Sequence, residues 1–142
     1  MKKLIIAFLT LTFFSCATST KVNTDSKPLF EVLLQQNYGG ASIRFFEILS
    51  EPNEIVMLTK DPKLKNRVKT TDLETANFVV MNMGEKSTIG HRIEIQSVVE
   101  TDKNIIITTK EIAPIPGSIS IQQISTPYYI VKINSKKEII FK

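Results

Sequence analysis

The chain has one cysteine and one histidine, and each scarcity excludes a class of function. With Cys16 alone, no intramolecular disulfide can form, so folding rests on apolar burial. With His91 alone, no Ser-His-Asp or Cys-His arrangement can be read, because no Asp or Glu is spaced near it in a recognisable pattern. One histidine without further cysteines or a carboxylate cluster is also a poor metal site. Gly84 and Gly90 bracket a polar loop, but the Gly-Lys-Ser/Thr ending and following helix of a phosphate loop are missing. Glu47, Glu51, Glu54 and Glu74 show no pairing of the kind glycoside chemistry needs. The charge balance argues against a nucleic-acid binder, which would show a clustered basic face: removing Lys2 and Lys3 lowers the formal charge from +4 to +2. What remains is a binding or structural protein, with no enzyme activity, cofactor, metal or nucleic-acid partner expected.

Long hydrophobic runs are also lacking. Lys2 and Lys3 precede an apolar stretch over residues 4–14, well short of the roughly 20 residues a membrane-spanning helix needs, so it reads as a signal peptide. Ser15 and Cys16 follow and resemble the lipobox of a bacterial lipoprotein, with Phe13 where Leu is usual. That resemblance implies lipidation of Cys16, removal of residues 1–15, and a place in the bacterial cell envelope, on the outer membrane or its periplasmic face. Residues 16–28 are then a short polar tether, and residues 29–142 the domain. The partner implied by Cys16 is a membrane.

The domain opens with strand-like runs at 29–36 and 42–48, separated by Asn37-Tyr38-Gly39-Gly40, which suggests a hairpin or bulge. Ser50, Glu51 and Pro52 start the one helix candidate, over 50–58, with Ile55 and Leu58 facing a core. Lys60, Lys63, Lys65, Arg67 and Lys69 then form a basic polar stretch, either a solvated loop or a contact for an acidic partner. From Asp72 onward the composition is strand-like. Residues 78–83 are nearly all apolar, as in a central strand buried on both faces. Residues 92–98 and 105–112 form an antiparallel hairpin about a turn at 101–104. Ala113, Pro114, Ile115, Pro116 and Gly117 cannot be strand interior. Residues 118–125, 128–133 and 138–141 read as further strands; Tyr128 and Tyr129 fall on opposite faces. About seven or eight short strands fit a mainly β fold, an antiparallel sandwich or partly open barrel with one short helix.

The order of these motifs carries a resemblance. Asn77-Phe78, the apolar strand after it, Gly84-Glu85-Lys86-Ser87-Thr88-Ile89-Gly90-His91, the alternating Arg92-Ile93-Glu94-Ile95, the Pro114/Pro116/Gly117 stretch and Thr126-Pro127-Tyr128 stand in sequence. Over about residues 30–134 the chain resembles the C-terminal domain of the protease complex subunit PrcB family. Ser87, Ile89 and His91 stand where that family's pattern has Pro, Gly and Tyr. The resemblance implies a non-catalytic lipoprotein domain that associates with an extracytoplasmic protease, for its assembly or stability. Gly84, Glu85, Lys86, Ser87, Thr88, Ile89, Gly90 and His91, with Pro114, Pro116 and Gly117, are the expected partner-binding loops. A weaker similarity joins Thr88-Ile89-Gly90-His91 to the cleft-entering loop of chagasin-type cysteine protease inhibitors. The alternatives are therefore an inhibitor-like module on the same loops, or a structural envelope lipoprotein.

Overall fold

The computed structural model describes residues 27–117 and 121–142. Cys16 and the expected signal peptide lie outside the described residues. Among these described residues, seven strands form two sheets that do not close into a barrel. The first sheet has the order β1-β6-β3-β2: β1 is Phe30–Gln36, β6 Tyr128–Ile133, β3 Asn77–Met83 and β2 Arg44–Leu49. The second has the order β4-β5-β7: β4 is Arg92–Glu100, β5 Asn104–Ile112 and β7 Glu138–Phe141.

The sheets pack face to face. Val79, Met81 and Met83 of β3 and Tyr129, Val131 and Ile133 of β6 meet Ile93, Ile105, Ile107 and Ile139 from the second sheet. Phe46 of β2 and Phe141 of β7 close one side, with ring centroids 5.2 Å apart. Because successive side chains alternate faces, Phe78 and Ile130 point the other way, into a second core with Leu33, Ile55, Leu64, Val68 and Ala76. Helical segments cover that face. Residues 78–83 are thus apolar for the expected reason: β3 lies inside its sheet and between two layers.

Helix α1 is Pro52–Thr59, and its cap is Glu51 rather than the expected Ser50. The Glu54 carboxylate turns back to accept from the Glu51 amide at 3.1 Å and the Ser50 amide at 3.2 Å, so the side chain three residues in does the capping. Instead of a single helix the described residues hold two, with a 3-10 turn between them at Pro62–Leu64. Helix α2, Asp72–Thr75, occupies a stretch whose composition reads as strand. It is one turn long, too short to show a helical period. The Asp72 carboxylate fixes it by accepting from the Lys69 amide at 2.8 Å.

Three strand expectations are also revised. No hairpin joins β1 and β2, which lie at opposite edges of their sheet; the irregularity is a bulge within β1, between Val32 and Leu34. The Gly39-Gly40 turn instead crosses the sheet end, where the Gly40 amide donates to the Thr126 carbonyl at 3.1 Å. Residues 121–124 are not strand, and only Ser125 bridges, to Lys86. Residues 118–120 lie outside the described residues. Finally, β7 pairs with β5 in parallel, because the chain crosses from one sheet to the other after β6 instead of returning beside it.

Candidate functional site: three loops at one end of the sandwich

The expected partner-binding loop, residues 84–91, carries the chain from β3 in one sheet to β4 in the other. Gly84 makes the departure at φ +74°, a left-handed conformation that L side chains rarely adopt. A β-carbon there would lie 2.9 Å from the Arg44 amide nitrogen and 3.0 Å from the Ser42 carbonyl. Both neighbours are backbone, so neither can swing aside. Gly84→Ala is expected to destabilise the fold by roughly 2 kcal/mol, visible as a lower urea midpoint with an unchanged slope.

Beyond Gly84 the loop is laid against residues 121–126. Lys86 and Ser125 exchange backbone hydrogen bonds at 2.8 and 2.9 Å. The buried Ser125 hydroxyl donates to the Thr88 carbonyl at 2.9 Å, and the Ile89 amide donates to the Ile121 carbonyl at 3.4 Å. Gly90, at φ +96°, faces the Pro114 ring: a β-carbon there would sit 3.3 Å from the proline Cγ. Pro114 is therefore gathered to the 84–91 loop. Pro116 and Gly117 are exposed, and Gly117 has open space about it.

A third loop, residues 37–43, completes the end. The Thr126 amide donates to the Asn37 carbonyl at 2.9 Å, and the Glu85 amide to the Ser42 carbonyl at 3.0 Å. Asn82 ties this loop to β3. It is 1% exposed, accepts from the Ala41 amide at 3.1 Å, and donates to the carbonyls of Ala41 at 2.8 Å and Ile43 at 2.5 Å. Sequence reasoning passed over Asn82 as one polar residue in an apolar strand. A lone amide at a strand end, just before a glycine, was the signal available.

Chemically the end offers shape and apolar surface. The His91 ring nitrogen Nε2 lies 3.2 Å from the Thr88 hydroxyl, and among the described residues no carboxylate bonds to it. No group of three His, Cys, Asp or Glu is placed to hold a metal ion among the described residues. Glu85 and Ser87 are exposed, Lys86 and Thr88 half-buried. Ile43, Ile115, Ile121 and Ile124 are 77%, 77%, 60% and 63% exposed, and each belongs to one of these touching segments. Tyr128 and Tyr129 part as expected: Tyr129 is in the inter-sheet core, while the Tyr128 hydroxyl accepts from Lys63 Nζ at 3.0 Å on the helical side.

This geometry defines a small β-sandwich whose one end is an assembled loop surface. Residues 77–134 match the family model described as PrcB C-terminal. The resemblance read from the motifs therefore holds from the start of β3 through β6 and the loops between, a narrower span than the 30–134 first read. No curated protein and no solved structure matches the chain. Among the described residues, no helix is long and apolar enough to cross a membrane.

Proposed function

We propose that this chain is a non-catalytic lipoprotein, anchored through Cys16 in the bacterial cell envelope. It binds a protein partner through the loop end, as an assembly or stabilising subunit of an extracytoplasmic protease complex. The observation that carries the reading is the pairing of rigidity with exposed apolar side chains. The loops are fixed by backbone bonds and by Asn82 and Ser125, yet present Ile43, Ile115, Ile121 and Ile124 to solvent. A preformed apolar surface of this kind suits a protein partner, since little ordering is needed on binding. The family match over residues 77–134 supports a protease-associated role for the segment that carries most of this surface.

The inhibitor reading has less support. Thr88 and Ile89 do not stand free as a wedge; their backbone groups are taken by Ser125 and Ile121.

The test is crosslinking on native membranes with intact Cys16, followed by mass spectrometry. A protease partner is expected with the native chain. With Ile121→Asp and Ile124→Asp combined, its recovery should fall at least about tenfold. Both side chains are exposed, so stability should change by no more than about 0.5 kcal/mol per site. Undiminished capture by this variant removes the loop end as the contact. Capture of structural envelope proteins alone moves the reading to a structural lipoprotein.

A further inference from the structure

We propose that the basic end of the helical layer docks on an anionic lipid surface, beside the point where the tether joins the domain. This rests on the anchor reading above. Residues 27–142 carry a formal charge of +2, but residues 60–69 alone carry +4, so the rest of that span is −2. Residues 132–142 also carry +3, but Lys132 and Lys137 there are paired with Asp72 and Glu100, so residues 60–69 are the densest positive segment of the domain. The fold brings that segment to the tether. Lys27 and Pro28 line a depression of about 290 Å³ together with Asn66, Arg67 and Lys69. The Pro28 carbonyl accepts from Asn134 Nδ2 at 2.6 Å, which fixes the incoming chain there. Lys65 and Lys69 border an adjoining hollow along α1.

The two carboxylates of the first depression are already engaged. Glu31 accepts from Arg67 at 3.1 Å and Asp72 from Lys132 at 2.5 Å. Lys27, Lys65 and Lys69 are exposed, and among the described residues their ammonium groups make no ion pair. Such a cluster gains a factor of about five in membrane partitioning per cation near an anionic surface. A lipid tether raises the local concentration of that surface, so modest attraction suffices to orient the domain. The loop end, by contrast, has mixed charge, with Glu85 beside Lys86 and Arg44 paired to Glu111. A docked basic face would hold the domain in one orientation on the membrane.

The test uses the full lipidated chain, with an environment-sensitive dye on Thr70→Cys. The acylated Cys16 leaves the new thiol as the one that reacts. Vesicles of phosphatidylcholine, with and without phosphatidylglycerol, are compared. The dye should shift only on anionic vesicles, the shift should vanish in high salt, and a control dye on Gln123→Cys should not respond. Lys65→Gln and Lys69→Gln should each lower the docked-to-free ratio about fivefold, and together about 25-fold. An equal response on both vesicle types, or one that survives the double substitution, overturns the proposal. So does a response to polyglutamate without one to anionic vesicles, which assigns the face to an acidic protein. Anchor failure reads differently: the chain then does not float with neutral vesicles. Salt-sensitive capture by anionic vesicles alone would still support the docking face, and no capture by either would reject it.

Discussion

Replacing Asp72 with alanine is expected to cost about 3–5 kcal/mol of folding stability, the largest effect of any single polar substitution in the domain. Asp72 is 1% exposed and bonded to Lys132, which is 7% exposed, at 2.5 Å. Its removal strands an ammonium group beneath the helical layer and releases the Lys69 amide that starts α2. Lys132→Met should be similarly damaging, because it leaves the carboxylate unpaired. The double variant Asp72→Leu/Lys132→Met should recover much of the loss, since an apolar pair needs no desolvation. Urea unfolding of the native chain, Asp72→Leu, Lys132→Met and the double variant measures the coupling, and additive losses would show that the pair does not act as one unit.

The same pair sets a pH dependence. Burial pushes the Asp72 carboxyl up, but the Lys132 bond, the Lys69 amide and nearby positive charge together hold it below the usual carboxylate value. The unfolded chain therefore takes up this proton more readily than the folded one. The resulting stability is present above the ordinary Asp pKa of about 4 and is lost as pH falls through the lower folded value. In Asp72→Asn, unfolding free energy should vary less steeply between neutral and acid pH than in the native chain. An unchanged slope would place the acid sensitivity elsewhere.

Asn82→Ala is expected to cost roughly 3 kcal/mol and, unlike the Asp72 change, to act mainly on the loop end. Three hydrogen bonds are lost, leaving the Ala41 amide and the Ala41 and Ile43 carbonyls without their side-chain partner. Each buried group so abandoned costs about 1–3 kcal/mol, moderated where water reaches the outer loop. Asn82→Asp should be worse than its size implies, because a carboxylate cannot donate to the two carbonyls. Hydrogen exchange separates local from global damage. Faster exchange at Gly40, Glu85 and Thr126, with the β5 amides still protected, is the expected pattern. Uniform loss of protection would mean that Asn82 supports the whole sandwich. Partner capture should weaken in Asn82→Ala even though Asn82 is too buried to touch a partner.

Much of this molecule follows from local sequence. The β composition, the doubly buried strand at 78–83, the 101–104 hairpin and the glycine-bracketed loop are set by short-range alternation and turn chemistry, which act within a few residues. The motif order likewise marks the segment that matches the PrcB C-terminal family. Long-range pairing was decided only by the tertiary structure. No neighbour rule indicates that β1 would pair with β6, that β7 would run parallel to β5, or that Asp72 would meet Lys132 across 60 positions. The helical identity of residues 72–75 and the gathering of three loops at one end of the sandwich belong to the same class. Composition decides which residues seek burial. Only the packed chain decides which distant backbone and charged groups must satisfy one another once water has been excluded.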